Sequence, residues 1–532
     1  MSKFAWKRIN WTEVHQRVDR TQRRIYKASL EKNKEKVTFL QNLLIHSLDA
    51  KLIAVKRVTT ENRSCQTTHI ENTFYNTDTK KINLVKKLKI NGVARCDFVV
   101  NYTIKRIAPN FMHKKLNSGK RKNNRRVEPF EHWIEDRAKQ HLVLMALEPE
   151  WESKFEPNSY GLRPGRSCHD AVVAILGYLK VGRNKHNFKK YILDANLKGC
   201  FDNINHQYLL EKLDTSPLIR KQIRAWLEAG ILKNFNTSDY EIMKNNIKTP
   251  PDVIISSLLI NIILHGMENY LQYWISTFSE PKLEFPGDMK LVSRKNSMSQ
   301  LGVIRYADNF ILIHKDNEIL KHAKITLQLW LKQTSGIEFH DATISIIRST
   351  EGFKFLGYRF INVKSYNRIR LKIYPEKQVV NKIINHIGNI LRTNRSISSY
   401  DLILKLKPII TGYCNYYSIC ECSHLFNKLD HLTFQMLRAW VFRRDKMNNR
   451  HKVKEKYFPS GNTYVYYGKS HRDNWVLVGT KKLKNGQTKN IFLPKFSWAP
   501  SIVHIGVRPI QPFASIYDGN KQYWEKRKLT TV

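Results

Sequence analysis

Acidic residues are scarce in this chain: 45 Asp and Glu stand against 91 Lys and Arg in 532 residues, a formal charge of +46. Such an excess repels itself and goes beyond what solubility requires, so it implies a polyanionic partner. Nucleic acid is the leading one and an acidic membrane surface the second, because the basic residues are interleaved with aromatics rather than gathered on one amphipathic helix. Cysteine is scarce too. Seven thiols (Cys65, Cys96, Cys168, Cys200, Cys414, Cys420, Cys422), odd in number and without a C-x-x-C pair, argue against a disulfide scaffold and a zinc ribbon and fit a reducing compartment. Long apolar runs are missing as well. The longest, Val253 to Leu264, is interrupted by Ser256, Ser257 and Asn261 and falls short of the roughly 18 apolar residues a membrane-spanning helix needs. The opening Met1-Ser-Lys-Phe-Ala-Trp-Lys-Arg8 has no apolar stretch of the signal-peptide kind, so neither a secretory signal nor a transit peptide is expected.

What is present is enough to fold. A hydrophobic share of 42%, with 24 Phe, 24 Tyr and 11 Trp, can fill several cores, and the length suggests about three to four structural units. Residues 11–58 read as two or three helices, with Val37, Leu40, Leu44 and Leu48 at helical spacing. Residues 59–126 turn polar and then basic; in 114–126, 7 of the 13 residues are Lys or Arg and none is acidic, the pattern of a solvated loop or a polyanion-facing arm. From 127 to 360 strands and helices alternate. Residues 375–450 become helical again, and 460–532 read as short strands and loops rich in Gly, Pro, Trp and Tyr. The expected division is a helical N-terminal extension (1–70), an α+β body (71–365), a helical domain (366–458) and a basic C-terminal tail (459–532).

Two segments carry the chemistry. Tyr191-Ile-Leu-Asp-Ala-Asn-Leu-Lys-Gly-Cys-Phe-Asp-Asn-Ile-Asn-His206 is an apolar strand, a turn and a helix start; Ile304-Arg-Tyr-Ala-Asp-Asn-Phe-Ile-Leu-Ile313 places an acidic residue at the tip between two apolar strands. A carboxylate held at such a tip is a natural ligand for a hard cation. In this order the two segments resemble motifs A and C of the reverse transcriptase palm. Leu147 to Ala171 is similar to the finger-to-palm signature of group II intron reverse transcriptases, and Glu351-Gly-Phe-Lys-Phe-Leu-Gly-Tyr358 to their post-palm strand. Leu406-Lys-Pro-Ile-Ile-Thr-Gly-Tyr-Cys-Asn-Tyr-Tyr417, and Leu429-Asp-His with Trp440, Arg443 and Arg444, resemble the maturase (thumb) domain; Val18–Ala28 and Ala54–Thr59 match the family's first block. The resemblance implies a right-hand α+β fold with a helical thumb, a group II intron RNA as partner, and a magnesium-dependent palm.

The chain departs from that family where the metals would sit. The motif A aspartate position is Asn196, and the motif C pair is Asp308 followed by Asn309, which leaves one carboxylate, Asp308, as a weak Mg²⁺ candidate where two dications need several. Asp194 lies on the same face as Asn196 but two residues away. The Gly-rich loop of the family is Thr249-Pro-Pro-Asp-Val253 here, the motif D lysine position is Thr343, and 114–129 is basic but scrambled. The phosphate-gripping residues look intact: Arg163 and Arg166 in the finger-to-palm block, and Arg438, Arg443, Arg444, Lys446, Arg450 and Lys452 with Lys454 and Lys456 in the thumb, beside Trp440, Tyr457 and Phe458, which could stack on bases or fill the thumb core, as could Tyr416. Cys420-Glu-Cys422-Ser-His424 lacks a second ligand pair for zinc, and the residues up to Val532 show no Cys pairs of the family's H-N-H endonuclease. The expected role is therefore RNA binding that assists splicing, with an inactive polymerase palm. An active RNA-directed DNA polymerase and a generic DNA-binding protein are the alternatives. The abundance of Lys, Asn and Ile suits an AT-rich plastid gene, with a mitochondrion or a bacterial cytoplasm as alternatives, and no membrane partner is expected.

Overall fold

The computed structural model describes residues 6–61, 75, 77–94, 128–179, 190–198, 204–229, 254–277, 301–339, 344–365, 368–482, 486–500 and 509–530. The basic 114–127 segment, Gly199, the Thr249–Val253 loop and Thr343 lie outside the described residues. The architecture is mixed α+β, as the sequence implies, and the chain divides into two compact units: 1–171, 193–346 and 510–524 form the first, and 172–192, 347–509 and 525–532 the second.

In the first unit the N-terminal helices Trp11–Leu30, Lys34–His46 and Leu48–Lys56 pack on the long helix Glu128–Glu152. Each N-terminal helix starts at a polar residue whose side chain accepts an otherwise unpaired amide: Asn10 from Glu13, Asn33 from Lys36, Ser47 from Ala50. Val37, Leu40 and Leu44 are buried as their spacing implies, but Leu48 is 56% exposed. The helical phase is reset at Ser47, which leaves the helix with ψ 140° and caps the next one. Gln22 and Gln41, both buried, donate to the Met145 carbonyl (2.9 Å) and to Glu150 (2.6 Å), tying two helices to Glu128–Glu152. Part of the polar stretch expected after residue 59 is a helix, Asp78–Lys87, anchored by buried Leu84, Val85 and Leu88.

The sheet is built on β1 (Tyr191–Lys198), β2 (Gly302–Tyr306), β3 (Asn309–His314) and β4 (Glu338–Phe339), in the order β2-β3-β1-β4, and β5 (Ser345–Arg348) also pairs β1. β2 and β3 are antiparallel, from Gly302 opposite Ile313 to Tyr306 opposite Asn309. Both are buried on both faces, which explains why they read as unbroken apolar runs rather than alternating strands. Residues 510–524 were expected in a tail, yet they fold into this unit. The Tyr517 hydroxyl donates to Glu148 (2.6 Å), and the Trp524 ring lies where a Cβ on Gly165 would have to be, 2.7 Å away.

The second unit contains the meander β6 (Phe353–Phe355), β7 (Tyr358–Ser365) and β8 (Arg368–Pro375) and the helices Lys377–Thr393, Ser399–Tyr416, Ser423–Arg444 and Arg450–Tyr457. Two hairpins follow: β9 (Thr463–Tyr466) with β10 (Lys469–Arg472), and β11 (Val478–Lys482) with β12 (Thr488–Phe492). They pack on the helices. Gly479 is needed there, because a Cβ would lie 2.5 Å from the Tyr400 backbone. Asp430 accepts the amides of Phe496 (2.6 Å) and Ser497 (3.1 Å), pinning the 3-10 turn Phe496–Trp498 to Ser423–Arg444.

Candidate active site and nucleic-acid interface

The palm site is a turn under restraint. Ala307 and Asp308 link β2 to β3, and Ala307 takes φ +56°, a left-handed conformation that costs an L-residue about 1–2 kcal/mol. The surrounding polar groups hold it there. Strand β2 is bridged to the segment before Gly161: the Arg305 amide donates to the Asn158 carbonyl (3.0 Å) and the Tyr160 amide to the Arg305 carbonyl (2.9 Å). The buried Arg305 guanidinium donates to Asn261 Oδ1 (2.9 Å) and the Ala307 carbonyl (3.3 Å), and Asn261 donates to the Gly161 carbonyl (2.9 Å). Gly161 itself passes so close that an added Cβ would lie 2.3 Å from the Ala307 nitrogen. A side chain at 161 would push this turn out of place.

β1 brings Asn196 to the same neighbourhood, with the Leu197 amide directed at the Asp308 carbonyl at 3.4 Å. Asp308 Oδ1 accepts from the Asn309 amide (3.0 Å), while burial pushes its pKa upward, partly offset by hydrogen bonds from its own backbone and from Asn309. Asp194 is pushed to about 6 by burial alone. Asn196 Oδ1 is buried with no hydrogen-bond partner among the described residues. These donors do not fit a pair of magnesium ions. At the described motif A and motif C positions they amount to one carboxylate, Asp308, and two neutral amides, with Asp194 two residues away from Asn196 along β1, whereas hard dications need several anionic oxygens. Among the described residues no group of three or more His, Cys, Asp or Glu is placed to hold a metal ion; that includes Cys420, Cys422 and His424.

Two residues expected to touch RNA do something else. Arg163 is 5% exposed; its guanidinium meets Glu152 bidentately (2.9 and 3.0 Å) and also donates to the carbonyls of Glu156 (2.8 Å) and Ser159 (2.9 Å). Four of its five N–H donors are used within the protein, and its side chain is too deeply buried for a phosphate to reach. Arg166 is half-buried and braces two segments of its unit, donating to the carbonyls of Pro157 (2.6 Å) and Pro512 (2.8 Å). The sequence could not distinguish a grip on RNA from a grip on the protein's own backbone, since both need the same fork of donors.

In the thumb the cations do reach solvent. Arg438, Arg443, Lys446, Arg450 and Lys452 are exposed. Lys454 and Lys456 are partly neutralised by Glu455 (2.6 Å) and Asp445 (2.8 Å). Arg444 is exposed but donates to the Arg395 and Ile397 carbonyls, and its guanidinium lies over the Trp440 ring. The neighbouring aromatics are core: Trp440, Tyr457 and Phe458 are buried, and the Trp440 indole donates to the Asn394 carbonyl (3.0 Å). Tyr416 stacks on Tyr358 and donates to the Leu356 carbonyl (2.9 Å). Of the two roles the sequence leaves open for these rings, their packing supports the thumb core. The sequence reading overlooked exposed Lys469, Arg472, Lys481, Lys482 and Lys489 on the two hairpins; the signal was there, since residues 459–500 hold a single acidic residue, Asp473, and it is paired with Lys495.

Comparison with known proteins agrees with this order of parts. Residues 6–88 match the N-terminal domain of reverse transcriptase, 121–360 the reverse transcriptase (RNA-dependent DNA polymerase) family, and 380–458 the group II intron maturase-specific domain. The chain belongs to the group II intron reverse transcriptase/maturase family. Among the relatives of this family member, "Maturase-like protein 1" of Euglena gracilis is 24% identical over 427 residues, covering 78% of each chain, and its Euglena longa counterpart 25% identical over 446 residues, covering 81% of each. "Group II intron-encoded protein LtrA" of Lactococcus lactis subsp. cremoris is 24% identical over 392 residues; that match covers 59% of this chain and 62% of the relative. Among the described residues of this maturase-family chain, no helix is long and apolar enough to cross a membrane.

Proposed function

We propose that the protein binds a group II intron RNA and assists its splicing, with a reverse transcriptase palm that no longer polymerises. The observation that carries this reading is the donor set at β1 and the β2–β3 turn. One carboxylate, Asp308, stands with amides Asn196 and Asn309 where family polymerases need paired dications. The restraints on that turn are elaborate nonetheless, which fits a palm kept as a scaffold. The RNA contacts fall to exposed Arg438, Arg443, Lys446, Arg450 and Lys452, whose charges neutralise phosphates. Expression from a plastid genome belongs to the same proposal, supported by the Lys, Asn and Ile usage and by the two Euglena relatives.

The test is a splicing assay at low Mg²⁺, where the RNA most needs help to fold, run beside primer extension on an RNA template. Extension is expected at background. Asp308→Ala should leave splicing unchanged, whereas Arg443→Glu with Arg450→Glu and Lys452→Glu should reduce it to the level without protein. Arg444 is left out because it braces the thumb. Robust extension that vanishes in Asp308→Ala, or the opposite ranking in splicing, would overturn the reading.

A further inference from the structure

One cavity in the first unit lies away from the palm turn. It holds about 340 Å³, within the range of small-ligand sites, and is formed by the helices His206–Leu213 and Pro217–Glu228, joined through Asp214 in a left-handed conformation (φ 42°). Each helix contributes one face. His206, Gln207, Leu210 and Glu211 come from the first, and Arg220, Arg224, Leu227 and Glu228 from the second, at spacings of three and four that align them along the groove.

The chemistry of the lining is mixed. Leu210 and Leu227 are buried and give an apolar wall. Two guanidiniums and two carboxylates share the rim, so its formal charge is zero and a bare phosphate gains little there. Neither guanidinium is joined to either carboxylate by an ion pair among the described residues. Arg220 Nε is buried with no hydrogen-bond partner among the described residues, so the guanidinium meets the groove through its terminal nitrogens. Gln207 donates to Glu211 (2.9 Å), holding that carboxylate in place.

We infer that this groove takes one unstacked nucleotide of the bound RNA, its base against Leu210 and Leu227, its amino edge on Glu211 or Glu228, and its phosphate on Arg220 and Arg224. An unpaired base offers an apolar face together with donors and acceptors on its edge, the combination the lining presents; guanidinium planes and apolar side chains bind such faces, and carboxylates accept from exocyclic amines. The inference deepens the RNA-binding reading and rests on it for the source of the nucleotide.

The experiment uses the full chain and 2-aminopurine riboside 5′-monophosphate, whose fluorescence anisotropy rises when the small probe tumbles with the protein. A saturable rise is expected, with AMP, GMP and CMP competing better than UMP, and ribose 5-phosphate and inorganic phosphate competing at least tenfold more weakly. Arg220→Ala with Arg224→Ala should weaken probe binding at least tenfold. The exposed single variant Arg224→Glu, which should fold whatever the double variant does, should weaken it in the same direction. The Arg443, Arg450 and Lys452 variant of the thumb should bind the probe like the wild type while losing intron affinity. Probe binding that is absent, insensitive to Arg224→Glu, or competed equally by inorganic phosphate overturns the inference. None of those results touches intron binding, whereas a chain that binds the probe normally but shows no preference for its intron RNA over duplex DNA would sink the splicing reading and leave the groove standing.

Discussion

Replacing Arg163 should damage the fold before it damages RNA binding. Its guanidinium and the Glu152 carboxylate are 2% and 1% exposed at the side chain, and all four of its hydrogen bonds end within the protein: two on the carboxylate, one each on the Glu156 and Ser159 carbonyls. Arg163→Met keeps the bulk but strands a buried carboxylate, a loss of about 3–5 kcal/mol when one partner of a buried pair is removed. In a unit of this size that corresponds to a fall in Tm of about 5–10 °C. The pair Arg163→Met with Glu152→Met removes both charges and should recover a large part of the loss, since the stranded charge is the main cost. Exposed Arg443→Ala serves as the comparison and should stay within about 0.5 kcal/mol of the wild type. The assay is thermal unfolding followed by calorimetry and near-ultraviolet circular dichroism, with intron binding measured on the same preparations below the transition. An Arg163→Met protein with unchanged Tm and strongly weakened RNA affinity would refute the argument and return Arg163 to the RNA-contact set.

Further outcomes follow from the same geometry. Gly161→Ala must displace the backbone of the β2–β3 turn, because the new methyl would sit 2.3 Å from the Ala307 nitrogen; a destabilisation of about 1–3 kcal/mol is expected in chemical denaturation, and a neutral variant would mean the turn is loosely held. Burial raises Glu148 to about 7 and Glu268 to about 7. A carboxylate raised in the folded state binds its proton more tightly there than in the unfolded chain, so its stabilising contribution is complete below the unfolded pKa near 4.5 and is lost as pH rises through about 7. Glu148→Gln, which keeps an acceptor for the Tyr517 hydroxyl, should therefore flatten the decline in Tm between pH 5 and pH 8; an unchanged slope would show that Glu148 titrates normally. Intron affinity should fall by orders of magnitude between about 50 and 200 mM salt if several phosphates are gripped, and a flat profile would remove the electrostatic basis for the interface.

Local patterns in the sequence were sufficient for much of this protein. The helical spacing of Val37, Leu40 and Leu44 and the apolar runs of β2 and β3 depend on interactions within a few residues, and the ordered motifs around Asn196, Asp308 and Tyr413 identify the family because they stand in the chain itself. The excess of positive charge, likewise, is a sum that needs no fold. The tertiary structure decided what each charged or aromatic group faces. Arg163 and Arg438 are the same residue type in equally basic surroundings, yet one is spent on Glu152 and the other is exposed. Trp440 could have been a stacking platform and is instead a wall of the thumb core. The C-terminal residues 510–524 read as part of a tail, and only packing against Glu148 and Gly165 makes them part of the first unit. The physical reason is common to all three. A side chain's chemistry is written in its own atoms, but whether water, nucleic acid or protein satisfies it depends on partners that lie anywhere from 4 to 369 positions along the chain, and the sequence holds those relations only through the fold.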